Sequence, residues 1–337
     1  MEERGYTPPY TISDKIVNLI SDISEILTEL TIDNKMSPNP RLRRDNRVKT
    51  IHASLAIENN SLSLEQVTDI INGKRILGAP DEICEVKNAF EVYEHLLEMN
   101  PYSRKDMLKA HKMLMHDLTK EAGAFRQGGV GVFAGKRLVH MAPPAERVPQ
   151  LVKELMDWVK KDPAHPLIKS SVFHYEFEFI HPFADGNGRM GRMWQTLLLY
   201  QWKPIFGWLP IETLIRERQE EYYRVLGEAD HKADSRVFIE FLLQAIYDTL
   251  VEVESTEQVR VQVSEQVQRL LDALENDTLT TKELMDRLGL KHRPTFRKNY
   301  LLPSMKLGLV EMTIPDKPNS SRQKYRRRQL YDRDSEA

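Results

Sequence analysis

The chain has 337 residues, which is enough for about two domains, or three small ones, each with its own core. Its 48 basic and 50 acidic residues nearly cancel, so the overall charge does not identify a partner. There is no apolar run of about 18 residues, no signal-peptide pattern at the N-terminus, and one cysteine, Cys84. We therefore expect a cytoplasmic protein that does not enter a membrane.

Apolar residues recur at three- and four-residue steps along most of the first 255 residues, which is typical of amphipathic helices. Gly, Pro or Asn bounds most of these segments. The pattern predicts helices over residues 12–30, 43–57, 64–71, 81–99, 103–118, 147–160, 165–179, 211–227 and 235–253. The first part of the chain is therefore expected to be mainly α.

One segment departs from helical periodicity. Residues 126–141, RQGGVGVFAGKRLVHM, alternate apolar residues around Gly135 and Lys136, which predicts a β-hairpin. On these residues alone, a hairpin that covers part of the core is the more ordinary interpretation. Its second strand would contain Arg137, Leu138, Val139, His140 and Met141.

Residues 181–192, HPFADGNGRMGR, combine groups that suit a phosphate site. Gly186 and Gly188 allow a tight turn whose backbone N–H groups point at an anion, and the apolar residues that follow predict a helix starting there. Arg189 and Arg192 are three residues apart, so their guanidinium groups lie on one face of its first turn and can hold successive phosphates.

The same segment supplies two groups for chemistry. Asp185 suits Mg²⁺, which prefers one or two carboxylates plus phosphate oxygens. His181 has a reference pKa near 6.5, so it can accept a proton from an attacking hydroxyl at neutral pH.

After about residue 261 the pattern changes. It predicts a helix up to residue 274, a capped helix from residue 280, a turn at 288–290, a third helix over 293–301, and strands over 305–314 and 324–330. This is the order of a winged helix-turn-helix. Between Lys282 and Arg328 there are thirteen basic residues and four acidic ones. Binding to DNA and docking to a protein both remain open.

The segment 181–192 resembles the Fic-domain signature HPFx[DE]GNGRxxR at every fixed position. The resemblance implies transfer of a nucleotide, usually AMP from ATP, to a Ser, Thr or Tyr hydroxyl of a target protein. It also implies roles: His181 is the base, Asp185 binds Mg²⁺ or Mn²⁺, and the phosphates are held by Gly186, Asn187, Gly188, Arg189 and Arg192, with Phe183 as an anchor.

The resemblance also changes the interpretation of the hairpin, of Arg126 and of the two adjacent tyrosines. In Fic proteins a hairpin at this place is the flap that pairs with the target peptide, which assigns target binding to Arg137–Met141. Arg126, Tyr222 and Tyr223 resemble positions near the nucleotide, although paired tyrosines on a helix more often serve packing.

Residues 54–59, SLAIEN, match the family's inhibitory pattern [ST]xxxE[GN], with Ser54 and Glu58 one helical turn apart. The implied role is inhibition, because a bidentate pair between Glu58 and Arg192 removes the group that should orient the γ-phosphate. The alternative is an ordinary surface glutamate at the end of a helix.

We expect a mainly α protein with an N-terminal helical region over residues 1–100, a Fic-like core over 101–255 and a winged helix over 261–337. The leading function is protein adenylylation from ATP, restrained by Glu58. Alternatives are removal of AMP, transfer of another nucleotidyl or phosphoryl group, and DNA binding by a regulator with a vestigial Fic site. Association into a homo-oligomer is left open.

Overall fold

The computed structural model describes residues 6–32, 40–134, 137–261, 265–315, 320 and 322–328. The chain forms two compact units, Met1–Val253 and Glu254–Ala337. The expected division into 1–100 and 101–255 lies within the first unit, where a single hydrophobic core extends from Ile16 to Leu250.

The first unit is helical, as predicted. Its α-helices are α1 Asp14–Ile32, α2 Pro40–Ile57, α3 Leu64–Ile71, α4 Pro80–His95, α5 Arg104–Leu114, α6 Val148–Lys161, α7 Pro166–Ile180, α8 Asn187–Trp202, α9 Ile211–Glu217, α10 Gln219–Lys232 and α11 Arg236–Val261. Short 3₁₀ turns occupy Leu96–Glu98, Ala145–Arg147 and Pro204–Trp208. No helix in the described part of the chain is long and apolar enough to cross a membrane.

Several predicted boundaries were wrong. The helix predicted over 211–227 is two helices, because Arg218 leaves the helical conformation between α9 and α10. No Gly or Pro marks this break, so the apolar pattern does not show it. The helices predicted to reach 99 and 118 end at His95 and Leu114, and α11, predicted to end at 253, continues beyond the end of the first unit to Val261.

Helices α7 and α8 pack against each other in the centre of the first unit. Most residues of both helices are buried, including Phe173, Phe177 and Trp194. Trp194 also donates its indole N–H to the carbonyl of Pro101 at 3.0 Å. Because a helix buried all round is held by packing on every side, the loop that joins α7 to α8 has fixed ends.

The predicted hairpin is present. Strand β1, Gly131–Ala134, pairs antiparallel with β2, Arg137–Met141, and the register shifts between Val132 and Phe133. The turn predicted at Gly135 and Lys136 lies outside the described residues. These two strands form a sheet of their own among the described residues.

The second unit contains α12 Glu265–Leu274, β3 Leu279–Thr280, α13 Thr281–Arg287, α14 Arg293–Phe296, α15 Leu302–Lys306, β4 Val310–Met312 and β5 Lys324–Arg327. Its antiparallel sheet has the order β3-β5-β4 and covers a core that includes Leu270, Phe296 and Tyr300. Thr280 and Glu283 form the expected capping box at the start of α13.

Two predictions for this unit needed correction. The third helix does not stop at Leu301, because a π turn, Arg297–Leu301, joins α14 to α15 and the helical path continues to Lys306. The strand predicted from residue 305 therefore begins only at Val310. Strand β3 was not predicted, since two residues are too few to show an alternating pattern. Residues 329 and 330 of the last predicted strand lie outside the described residues.

Candidate active site

The loop between α7 and α8 carries the motif, and two left-handed residues shape it. His181 ends α7 with φ 49°, and Gly186 precedes α8 with φ 79°. The side chain of Asn187 accepts a hydrogen bond from the N–H of Phe183 and donates one to its carbonyl, both at 2.9 Å. The Asn187 side chain therefore closes the loop, and only its backbone N–H, in the first turn of α8, can contribute to the expected anion site.

A histidine that the sequence did not single out supports this loop. The ring of His111 stacks on Phe183 at 3.6 Å between centroids, with an interplanar angle of 5°. Its Nδ1 accepts from the N–H of Gly123 at 2.9 Å, and its Nε2 lies 3.0 Å from the carbonyl oxygen of Asp185. Because Nδ1 accepts, the ring proton is on Nε2 and is donated to Asp185. Burial lowers the pKa of His111 to about 4, so the ring is neutral at pH 7.

The structure brings Glu58 and Arg192 together across 134 residues of chain. Glu58 Oε1 lies 2.8 Å from Arg192 Nη2, and the guanidinium is buried. Arg192 also donates from Nε to Ser54 Oγ at 3.2 Å and from Nη2 to the Ser54 carbonyl at 3.0 Å. The expected bidentate pair is therefore wrong in one respect. Glu58 accepts a single hydrogen bond from Arg192, from Nη2, and Nε of Arg192 donates to Ser54 instead.

Glu58 also lies against the first turn of α8. A Cβ atom built on Gly188 would collide with Glu58 Oε1 and would lie 3.0 Å from Arg192 Nη1. The N-terminus of a helix attracts anions, and here an internal carboxylate lies beside it. Asn59, next in the chain, has φ 70°, a conformation that Gly and Asn adopt most readily, and the pattern [ST]xxxE[GN] has one of these two residues at this position.

Arg189, the other arginine of the motif, is held by two carboxylates. Arg189 donates from Nη1 to Glu85 Oε1 at 2.8 Å and from Nη2 to Asp185 Oδ1 at 3.1 Å. Asp185 Oδ1 also accepts from the N–H of Gly186. Glu85, on α4, was not among the predicted site residues. Its contact with Arg189 joins positions 104 residues apart, which no local pattern shows.

The carboxylate of Asp185 suits a metal ion that phosphate oxygens help to bind. Its side chain is 64% exposed at the tip of the loop. The described residues contain no cluster of three or more His, Cys, Asp or Glu side chains that could hold a metal. Since Mg²⁺ is commonly held by one or two carboxylates together with substrate phosphates, the donor set at Asp185 is compatible with it.

The side chain of His181 is oriented by the end of α7. Its Nδ1 lies 3.3 Å from the carbonyl oxygen of Glu178 and 4.0 Å from Glu178 Oε2. A proton on Nδ1 that is donated to this carbonyl leaves the lone pair on Nε2, as a general base requires. Burial raises the pKa of Glu178 to about 8, so this neighbour is largely neutral at pH 7 and adds little negative charge beside the histidine.

Arg126, Tyr222 and Tyr223, the three residues predicted to lie near the nucleotide, each make hydrogen bonds within the first unit. Arg126 is buried and donates to the carbonyls of His181 at 2.7 Å and Gly128 at 2.8 Å, so it joins the motif loop to the base of the hairpin. Tyr222 is buried, with its hydroxyl 3.1 Å from His174 Nε2. Tyr223 donates weakly to the carbonyl of Ile57 at 3.5 Å, beside Glu58.

Known proteins match both units. The Fic/DOC family model matches residues 101–199, and the model described as "Filamentation induced by cAMP protein Fic-like, C-terminal domain" matches 265–327. A crystal structure of a Fic family protein from Desulfovibrio desulfuricans G20 is 54% identical, covers 97% of this chain and 100% of its own, and has a TM-score of 0.74. The chain therefore belongs to the Fic family.

More distant relatives carry a more specific name. "Protein adenylyltransferase Fic" from Nematostella vectensis is 28% identical over 225 residues, which are 63% of this chain and 50% of the relative. The protein of the same name from Drosophila willistoni is 27% identical over 62% of this chain and 42% of the relative. The chain thus spans about half the length of these curated relatives or less. Fic-1 from C. elegans, 22% identical with a TM-score of 0.61, shares the fold.

Proposed function

We propose that this chain transfers AMP from ATP to a Ser, Thr or Tyr hydroxyl of a target protein, and that Glu58 restrains the transfer. The observation that carries the proposal is the position of the Glu58 carboxylate, on Arg192 and against the N-terminus of α8. The Glu58 carboxylate is an anion that lies where the phosphates of ATP are expected. Relatives of this chain are named protein adenylyltransferases.

In the proposed reaction the target hydroxyl oxygen attacks the α-phosphorus of ATP. The bond from that phosphorus to the bridging oxygen breaks, diphosphate leaves, and the hydroxyl proton moves to Nε2 of His181. The first-turn N–H groups of α8 and the two arginines hold the phosphates. A divalent cation at Asp185 would neutralise phosphate charge when bound.

Arg192 explains how Glu58 would restrain this reaction. Its buried guanidinium is engaged by Ser54 and Glu58 together. A γ-phosphate that binds Arg192 must displace Glu58, and a triphosphate that cannot reach Arg192 is not held for in-line attack. Glu58 therefore restrains the orientation of ATP. Its effect on the binding of nucleotides without a γ-phosphate should be small.

Labelled ATP distinguishes this function from its alternatives. Incubated with the full chain and candidate target proteins, ATP labelled at the α-phosphate should label protein, and ATP labelled at the γ-phosphate should not. Label from the γ-phosphate in protein would overturn the proposal in favour of phosphoryl transfer. Release of AMP from a modified protein, without net transfer, would favour the hydrolytic alternative, in which Glu58 positions a water.

The metal requirement gives a separate prediction. Asp185→Ala, or chelation of divalent cations, should remove AMP transfer and weaken the binding of ATP more than that of AMP, because Asp185 would hold a cation that would neutralise the charge of the triphosphate. Calorimetric titration with ATP and AMP measures the difference. Asp81→Ala, an exposed acid at the start of α4, is the matched control. Undiminished transfer in chelator would show that Asp185 has no such role.

For the second unit we propose a winged helix that binds duplex DNA. It is supported by the order helix, strand, helix, helix, hairpin and by exposed cations that include Lys291, Arg293, Arg297 and Lys298. Some basic residues of the unit are already paired, such as Arg287 with Asp277 and Arg326 with Glu311.

Salt dependence tests this second proposal. If the exposed cations contact phosphates, replacing Arg293, Arg297 and Lys298 by Ala should weaken binding and reduce the slope of log affinity against log salt by about 0.9 per lost contact. The control replaces Arg104, Lys105 and Lys109 of α5, which are also exposed. The absence of binding to duplex DNA at low salt, or equal effects of both triple variants, would contradict DNA binding by this unit.

A further inference from the structure

We infer that Glu85 is a positioning residue for Arg189. Through its contact with Asn60, Glu85 also connects the turn that carries Glu58 to Arg189. The inference rests on the proposed function and deepens it, because the turn that carries Glu58 would then be linked to both motif arginines. Glu58 contacts Arg192 directly, and Asn60 acts on Arg189 through Glu85.

The contacts of Glu85 carry this inference. Glu85 lies on α4, and its two carboxylate oxygens have different partners. Oε1 accepts from Arg189 Nη1 at 2.8 Å, and Oε2 accepts from Asn60 Nδ2 at 2.8 Å. The Glu85 side chain is 19% exposed and that of Arg189 is 6% exposed. A largely buried ion pair keeps more of its strength than a surface pair, because less water screens it.

Asn60 is firmly attached to the turn. Its N–H donates to the carbonyl of Leu55 at 3.1 Å, and its Oδ1 accepts from the N–H of Leu62 at 3.1 Å. Its Nδ2 also donates to the carbonyl of Glu82 at 3.2 Å. Asn60 is buried and only two residues after Glu58, so a shift of the turn that removes Glu58 from Arg192 also strains the contact between Asn60 and Glu85.

The second partner of Arg189 shows what Glu85 contributes. Both terminal nitrogens of Arg189 now donate to carboxylates, Nη1 to Glu85 and Nη2 to Asp185. If Asp185 held a cation instead, Nη2 would be released and could donate to a phosphate. Glu85 then remains as the carboxylate that fixes the plane of the guanidinium, and a fixed plane is what a charge-assisted contact to phosphate needs.

The decisive variant is Glu85→Gln in the Glu58→Gly background, where the direct restraint is absent. It removes the charge opposite Arg189 and keeps the size of the side chain. We expect kcat for AMP transfer to fall by about tenfold or more, with a smaller change in KM for ATP, because misorientation of one phosphate contact acts mainly on the transition state. The affinity for ADP should fall and the affinity for AMP should not.

The matched control is Glu82→Gln, one turn earlier on α4. Glu82 accepts from the N–H of Ser61 at 2.6 Å, whereas the carboxylates that hold Arg189 are those of Glu85 and Asp185, so kcat and ADP affinity should stay near those of the parent. Equal losses in both variants, or a kcat and an ADP affinity unchanged by Glu85→Gln, would overturn the inference. Thermal unfolding of the nucleotide-free proteins identifies a variant that fails to fold.

Asn60→Ala tests the connection while Glu85 itself is not substituted. In the chain that retains Glu58 it should raise AMP transfer several-fold, because the turn loses a tie to α4, and in the Glu58→Gly background it should add no further gain. Equal gains in both backgrounds, or none in either, would contradict the connection. If Glu58→Gly itself transfers no AMP, the proposed function fails, and the affinities for ADP and AMP still decide whether Glu85 positions Arg189.

Discussion

Glu58→Gly should raise the rate of AMP transfer, to the chain itself or to a target protein, by an order of magnitude or more. The substitution removes the carboxylate that lies 2.8 Å from Arg192 Nη2 and frees one N–H of this nitrogen for the γ-phosphate, while the other still donates to the Ser54 carbonyl. Loss of one productive orientation can reduce a rate by about a hundredfold, so its recovery should be readily measured. Incorporation of AMP from α-labelled ATP, at saturating magnesium, gives the rate.

Two further variants separate this effect from others. Glu58→Gln retains the length of the side chain but weakens the ion pair, and it should show an intermediate gain. Arg192→Ala should give no gain, because it releases Glu58 but also deletes the phosphate contact, and the double variant should match Arg192→Ala alone. If Glu58→Gly instead lowers transfer and abolishes the removal of AMP from a modified protein, the hydrolytic alternative is the better account.

His181→Ala should abolish AMP transfer and leave ATP binding nearly intact. The phosphates are expected to be held by the first turn of α8 and the two arginines, whereas His181 only receives the proton of the attacking hydroxyl. The experiment compares label incorporation with the calorimetric affinity for ATP. His231→Ala, an exposed histidine of α10, serves as the control. Transfer at the original rate by His181→Ala would remove the histidine from the mechanism.

The sequence predicted those features that depend on neighbouring residues. Most helices of the first unit could be recognised because apolar periodicity is local, and the capping box at Thr280 and Glu283 is contained in four residues. The break at Arg218 and the two-residue strand β3 carry no such local signal. The candidate site residues within 181–192 could be predicted for the same reason, because they are neighbours in the sequence.

Contacts between distant segments could not be predicted in this way. The inhibitory pattern at 54–59 indicated a role for Glu58 only through the family resemblance, and nothing in it shows that Glu58 meets Arg192. His111 and Glu85 had no motif at all, because their partners Asp185 and Arg189 lie 74 and 104 residues further along the chain. Both contacts depend on where α4 and α5 lie in the folded chain, with His111 of α5 beside the motif loop and Glu85 of α4 beside the first turn of α8.

The central claim is that Glu58 and the γ-phosphate compete for Arg192, and calorimetric titration with ATP and ADP tests it most directly. Both nucleotides are titrated, with magnesium, into the unaltered chain and into Glu58→Gly. We predict that the substitution tightens ATP binding and leaves ADP binding nearly unchanged, because only ATP carries the γ-phosphate. Equal changes for the two nucleotides, or no change for either, would contradict competition at Arg192.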